Sequence, residues 1–415
     1  PRARQAQTLA QRLPQHGDPM TAQHPVTPEA DIVALAESFS DELRERATEF
    51  ESQGYVSQDL AERMARLGFL RLCNPEEYGG PGRSPVDYAK LVETLARHDG
   101  STGWVVFIGI TSALAACKLA PATVRDILSE PETITAGVFA PMGRARACER
   151  DGVRGFLLNG QWQWGSGSHN AHYISGGGFV IDDGGEIVRT ASGAPEQRAF
   201  LMPITDVEVL DTWHVAGLKA TGSADFRASD VFVPEHRVSN PFEQNDFSHP
   251  MHSFPFFGAL GIGIGAVALG LAAACTEEFL TLAGVKTPLG SQRTLARKPA
   301  THRRVAEASA QLRAARLYFY ATIEQAWELT SRGEGIPVTT RADLRLSNTH
   351  AVMTAATVID SLYTLAGGSS VYLKSPLQRH FRDIHVATQH MMVNEATLEL
   401  VGRIQLGQET DTNLL

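Results

Sequence analysis

The sequence predicts an α+β protein built as three consecutive blocks: helical, then β, then helical again. Two changes of periodicity and one absence carry this prediction. Apolar residues recur every three or four positions up to about residue 128, fall into short runs of β-formers from 133 to 238, and return to helical spacing from 254. Strands and helices never alternate as βαβ units, which disfavours a Rossmann arrangement. With 415 residues, 43% hydrophobic and 20% charged, the chain can bury a real core as two or three domains or one large composite.

Taken in order, residues 1–27 open on "PRARQAQTLAQRLPQHGDPM", which lacks an apolar h-region and reads as a disordered tail or expression remnant ahead of Met20. A helical domain spans 28–132. Within it "PEADIVALAESFSDELRERATEFESQG" ends at Gly54, and "SQDLAERMARLGF" starts at a Ser cap and stops at Gly68. After the turn cluster "NPEEYGGPGRS", two more helices occupy "PVDYAKLVETLARHDGSTGWVVFIGITSALAACKLA". The β-domain covers 133–238, and Asn159-Gly160 inside it is a strong hairpin signal. A Pro/Asn/His-rich linker, 239–253, leads to a helical domain over 254–404 with helices near 256–284, 300–330, 340–365 and 376–404. A tail, 405–415, closes the chain.

Bulk properties exclude several functions. The net charge is −9 with no basic block, so nucleic acid and an anionic membrane are poor partners. Cys73, Cys117, Cys148 and Cys275 lie far apart and show no metal spacing, as expected of reduced thiols in a cytoplasmic protein. The run "GALGIGIGAVALGLAAAC" (258–275) approaches membrane length, but its glycines and alanines suit a tightly packed soluble helix better. There is no Walker A loop, no G-x-G-x-x-G after a strand, no H-E-x-x-H and no G-x-S-x-G elbow, and no ligand cluster supports a metal.

Three stretches remain as site candidates. On a strand continuing through "NGQWQWGSG", Trp162, Trp164 and Ser166 share one face, which could cover the core or contact one flat ring. In "LKATGSADF", Gly222 between Thr221 and Ser223 marks either a β-bulge or a close backbone approach with two hydroxyls beside it. In the last helix, begun by Ser375-Pro376 after the Gly367-Gly368 break, Arg379, Asp383, Val386, His390, Val393, Thr397 and Leu400 follow steps of four and three. His390 then points inward, as a satisfied core histidine or as a base or donor in a site.

These segments resemble the acyl-CoA dehydrogenase fold over about residues 28–404. "GFLRLCNPEEYGGPG" is similar to that family's N-terminal signature, "LNGQWQWGSG" to its G-x-K-x-W-I-T strand, and "PLQRHFRDIH" to its late P-x-x-R-x-x-R-D helix. The resemblance implies an N-terminal helical domain, a central β-barrel or sandwich and a C-terminal four-helix bundle, with flavin where the β-domain meets the bundle. It implies Trp164 against the isoalloxazine and Ser166 beside flavin N5. The turn "GVFAPMGRA", with Phe139, Ala140 and Pro141, would hold the pyrimidine end, and Thr221 and Ser223 would touch the cofactor. Gly367 and Gly368 would touch the diphosphate of a neighbouring subunit's cofactor, which implies a homotetramer.

One departure decides the expected chemistry. The family's catalytic Glu, eight residues past the Asp of the R-D pair, falls on Met391, and a thioether takes no proton. "DGSTGWV", "W-x-S-G", "GLKATGS" and "RDIHVATQHMMV" instead resemble the two-component flavin-dependent monooxygenases, among them hydroxyphenylacetate hydroxylase, secosteroid phenol hydroxylases and indole hydroxylases. That branch implies reduced FAD, alternatively reduced FMN, from a separate NAD(P)H:flavin reductase. It also implies O₂ as co-substrate, a C4a-(hydro)peroxide, no metal, and a small aromatic substrate. His390 would donate to the distal oxygen or take a proton from the substrate, with Ser166 at N5. Trp104, Ser112 and Phe247 would line the substrate pocket. Where some phenol hydroxylases carry a second His, this chain offers only Thr111 and Ser112, so an indole-type ring competes with a phenol. An N- or S-oxygenase, an acyl-thioester dehydrogenase or oxidase, and a scaffold that binds no flavin are the rivals.

Overall fold

Helical spacing between Ile32 and Ile127 produces six helices: α1 (Ile32–Glu37), α2 (Ser40–Gln53), α3 (Gln58–Arg66), α4 (Pro85–His98), α5 (Gly100–Ala116) and α6 (Pro121–Ile127). A computed structural model describes residues 26–27, 30–242 and 249–415. Caps fix the starts that matter for the site. The Ser84 side chain accepts from Asp87 N–H ahead of α4, and the buried Asp99 carboxylate accepts from both Thr102 N–H and its hydroxyl at the head of α5.

Strands follow as β1 (Thr135–Arg150), β2 (Val153–Trp162), β3 (Tyr173–Ile181), β4 (Gln197–Pro203), β5 (Glu208–Val209), β6 (Phe226–Pro234) and β7 (Val238–Ser239). They form one sheet, ordered β5-β6-β2-β1-β3-β4-β7, in which β1 and β3 run parallel and the other neighbours antiparallel. The barrel-or-sandwich expectation resolves into this single sheet, curled so that Phe156 of β2 meets Phe200 of β4 with ring centroids 5.6 Å apart. The hairpin lies elsewhere than expected. Asp151 (φ 53°) and Gly152 (φ 76°) make the β1–β2 turn, whereas Asn159-Gly160 sits inside β2 at a register shift. Asn159 binds Asp230 across to β6 through Nδ2 (2.8 Å) and accepts its N–H, which holds the Asn-Gly pair within the ladder.

The second helical block comprises α7 (Phe256–Val285), α8 (Pro299–Ser331), α9 (Val338–Ala366), α10 (Pro376–Ala387) and α11 (Glu395–Gln405). The expected continuous helix over 376–404 is therefore two helices with a break at 388–394, where Asn394 caps α11. Among the described residues α7 alone combines the length and hydropathy of a membrane span, yet 83% of its apolar window is buried inside the fold. It packs against α4, α5 and α9, so one hydrophobic core runs from the N-terminal helices through α7 to Val393. The β-domain keeps a separate core around Trp162, Phe200 and Phe226.

Trp162 is fully buried, stacked on Phe226 at 4.9 Å and 13°, and its Nε1 donates to Gly177 O (2.7 Å). Trp162→Ala should cost about 3–5 kcal/mol in urea unfolding. Trp164→Ala, at an exposed position, should change stability by less than about 0.5 kcal/mol.

Candidate active site between two loops and a broken helix

Strand β2 stops at Trp162, and the chain then leaves the pleat. Trp164 takes φ 63°, a left-handed conformation that side chains rarely adopt, and its indole stands 69% exposed. Trp162 and Trp164 thus do not share a face: strand alternation ends one residue too early for that, and the two indoles have opposite fates. Ser166 turns inward and is buried. The loop is zipped to residues 218–224 by Gly165 N–H to Ala224 O (3.0 Å), Gly167 N–H to Thr221 O (2.9 Å) and Ser168 Oγ to Gly222 O (3.1 Å). Gly222 has φ 53°, and a Cβ there would come within 2.9 Å of His169, so close approach explains this glycine.

The zipper brings three hydroxyls into line. Ser166 Oγ lies 2.6 Å from Ser223 Oγ, which lies 2.7 Å from Thr221 Oγ1, which donates to Leu218 O at 2.8 Å. At the other end Trp104 Nε1 of α5 donates to Ser166 Oγ (3.1 Å). The same indole lies 5.9 Å from the His390 ring. Trp104 therefore joins the two residues expected to carry the chemistry.

His390 sits in the break between α10 and α11 rather than on a helix stripe, and it still faces inward. Arg345 of α9 shapes this break by donating to Met392 O (2.9 Å) and Thr397 Oγ1 (3.2 Å). His390 Nδ1 accepts Met392 N–H (3.2 Å), which leaves the ring's own proton on Nε2. Burial, with the Arg345 charge nearby, pushes its pKa down to about 4. The ring is a neutral N–H donor at neutral pH and holds no free lone pair for a base.

Helix α10 also holds the hydroxyl loop. Asp383 Oδ1 accepts Leu218 N–H (2.6 Å), Arg382 donates to Ala216 O and to Glu51 (2.8 Å), and a Cβ on Gly217 would fall 2.2 Å from Arg382 O. Burial, aided by Asp99 and Glu51, pushes the Asp383 pKa up to about 7 against the Leu218 hydrogen bond and Arg379. The sequence pattern puts Asp383 on the stripe with His390 and in the R-D motif without giving it a role, and it does not single out Arg345. The available signal for Arg345 was a charge flanked by Leu344 and Leu346 and followed by Ser347 and Asn348.

The other candidates scatter. Phe139, Ala140 and Pro141 lie within β1, not in a turn, where the pairing with β3 shifts register twice between Val138 and Gly143. Phe139 packs edge-on against Phe242 (5.9 Å) and Phe257 (5.0 Å), while Ala140 is exposed. Ser112 is half-buried two turns beyond Trp104, and among the described residues no hydrogen bond ties it to the cluster. Phe247 lies outside the described residues. Gly367 and Gly368 form an exposed turn after α9, about 30 Å along that helix from Arg345. A cleft of about 620 Å³ between the end of α3 and Pro131 shares no lining residue with the cluster. An outward indole beside a buried hydroxyl and an interrupted strand suits a flat heterocycle with a polar edge, so the residues present fit a flavin.

Models of the acyl-CoA dehydrogenase N-terminal and C-terminal domains match residues 29–121 and 262–395. The chain is 31% identical over 374 residues to an indole-3-acetate monooxygenase of Acinetobacter baumannii, covering 89% of this chain and 93% of that protein. It is 31% identical over 360 residues to the flavin-dependent monooxygenase oxygenase subunit HsaA of Rhodococcus jostii, covering 84% and 91%. The crystal structure of 3-HSA hydroxylase from Rhodococcus sp. RHA1 superposes with TM-score 0.82 at 28% identity, over 93% of this chain and all of that one.

Two titrations test this electrostatic picture. The folded His390 ring binds a proton only near pH 4, against about 6.5 unfolded, so its imidazole NMR signals should stay flat from pH 8 to about 5. Asp383 binds its proton near pH 7 when folded and near 4 when unfolded, so its contribution to stability falls as pH rises through that window. Asp383→Asn keeps an acceptor for Leu218 N–H. Urea midpoints at pH 5 and 8 should show a smaller loss with rising pH in this variant than in the parent.

Proposed function

We propose that this chain, which belongs to the acyl-CoA dehydrogenase family, is the oxygenase component of a two-component flavin-dependent monooxygenase that hydroxylates an aromatic ring. The observation that carries the reading is the Trp104 indole, which contacts Ser166 through Nε1 and His390 through its ring. Met391, which replaces the acid–base glutamate of the acyl-CoA dehydrogenases, is 60% exposed and offers no base, so α-proton abstraction has no agent here.

When bound, reduced FAD or FMN from a separate NAD(P)H:flavin reductase would, with O₂, supply the activated oxygen. The chain supplies the rest. Trp164 offers an indole plane and Ser166 a buried oxygen for the polar edge of the ring. The irregular backbone at Phe139, Ala140 and Pro141 leaves main-chain groups outside the β1–β3 ladder for the pyrimidine end. Nε2–H of His390 would donate a hydrogen bond toward the oxygen to be transferred, and its neutrality spares the site a buried charge. The buried Trp104 indole keeps water from Ser166 and His390, which a short-lived oxidant requires. Two observations favour an indole-type substrate over a phenol: the indole-3-acetate relative, and Thr111 and Ser112 standing where a second histidine would meet a phenol oxygen. The family resemblance supports a homotetramer in which the exposed Gly367-Gly368 turn, at the far end of α9 from Arg345, meets a neighbour's cofactor.

Anaerobically reduced FAD or FMN, then air, with indole-3-acetate or 4-hydroxyphenylacetate, should yield products one oxygen heavier by mass spectrometry. Turnover of an acyl-CoA without oxygen insertion would overturn the reading. His390→Ala should lower product yield at least about 100-fold while the affinity for reduced flavin changes less than about threefold.

A further inference from the structure

Three short oxygen–oxygen contacts run from Ser166 to Leu218: 2.6 Å between Ser166 and Ser223, 2.7 Å between Ser223 and Thr221, and 2.8 Å between Thr221 and the Leu218 carbonyl. Each contact at such a distance needs one proton between its oxygens. The four oxygens carry three protons in all, because a carbonyl has none. All three hydroxyl protons are therefore committed, and the carbonyl end sets their direction. Thr221 donates to Leu218, Ser223 to Thr221, and Ser166 to Ser223. The run cannot reverse, because the far end is capped by Trp104 Nε1–H, which only donates and already points at Ser166 Oγ (3.1 Å). Its acceptor end is fixed as firmly. The Leu218 carbonyl also receives Thr221 N–H (3.1 Å) and Trp213 Nε1–H (3.3 Å), and the Leu218 amide is tied to Asp383. Ser166, Ser223, Thr221 and Leu218 are all at least 94% buried, so water does not scramble the order.

We propose that Ser223 and Thr221 are positioning residues that turn Ser166 into a pure hydrogen-bond acceptor and so make the site select flavin that carries a proton on N5. The inference rests on the flavin site proposed above. Reduced flavin presents N5–H, a donor that the remaining lone pair of Ser166 accepts. Oxidised flavin presents a bare N5 lone pair, which meets the Ser166 lone pair with no proton to share. Discharge of spent flavin and capture of fresh reduced flavin are thereby built into the hydroxyl order. An unmatched buried polar contact of this kind corresponds to roughly a tenfold or greater difference in affinity.

Binding, not turnover, tests it. Dissociation constants for oxidised FMN and FAD, and for the same flavins reduced anaerobically with dithionite, are measured on the parent, Ser223→Ala and Thr221→Val. The parent should bind the reduced form at least about tenfold more tightly. Ser223→Ala frees the Ser166 proton. Thr221→Val does so at one remove, by leaving Ser223 free to donate to Ser166 instead. Both should strengthen oxidised-flavin binding and bring the oxidised-to-reduced ratio of Kd toward one. A merely structural role for either residue weakens both forms alike and leaves the ratio unchanged, which overturns the proposal. Equal affinity for the two forms in the parent does so as well. Failure of the parent to bind either form would sink the flavin site itself, a separate outcome from an unaltered ratio.

Discussion

The hydrogen bond between the Asp383 carboxylate and the Leu218 amide is the contact on which the rest of the site depends. It joins a helix of the C-terminal block to a loop of the β-domain whose Leu218 and Ala220 pack into the helical core, while the sheet keeps a core of its own. Leu218 is held at φ 48°, a conformation that a branched side chain resists, and the carboxylate, Arg382 and the Gly217 contact together impose it. With Leu218 fixed, its carbonyl faces the hydroxyl of Thr221, and the order of Thr221, Ser223 and Ser166 follows. Helix α10 therefore acts twice. Its middle sets the hydroxyl loop, and its C-terminal end delivers the turn that carries His390.

Trp104 closes this circuit from the third side. Helix α5 begins at the buried Asp99 cap, and one turn later the indole reaches Ser166 with its edge and His390 with its ring. An indole suits this position because it fills space as an apolar group and still donates one hydrogen bond, without bringing an acceptor that would compete for the Ser166 proton. The charges around it are arranged to keep the reacting centre neutral. His390 is buried uncharged, with Arg345 bonded to the carbonyl of Met392 and the Thr397 hydroxyl. Asp99 and Asp383 lie deeper, where burial raises the pKa of each. A neutral pocket of this kind shelters a short-lived oxidant better than one crowded with solvated ions.

The elements that carry the candidate site residues are the irregular ones. A strained Trp164, a strand that shifts register twice near Phe139, and a helix interrupted at 388–394 each break a local rule in order to aim a group. Regular structure supplies the frame, and each departure from it turns a side chain or main-chain group out of the regular pattern.

The sequence by itself determined the three-block order, the long C-terminal helices, the family, and the identity of Ser166, Trp104 and His390 as residues of interest. Those follow from periodicity and from short local motifs, which a chain carries whether or not it is folded. It misplaced what depends on the ends of elements. Asn159-Gly160 has hairpin chemistry, but Asp151-Gly152 makes the turn because Asn159 finds a cross-strand partner in Asp230. Trp162 and Trp164 look equivalent by alternation, yet one is core and the other is exposed, because β2 ends between them. The stripe through His390 looked like a helix face, yet Arg345, 45 positions earlier, takes the carbonyl at Met392 and Asn394 restarts the helix. Only the tertiary structure could decide that Ser166 meets Trp104 and Ser223 at once. Those residues lie 62 and 57 positions away from it, and no local preference encodes a contact between segments so distant in the chain.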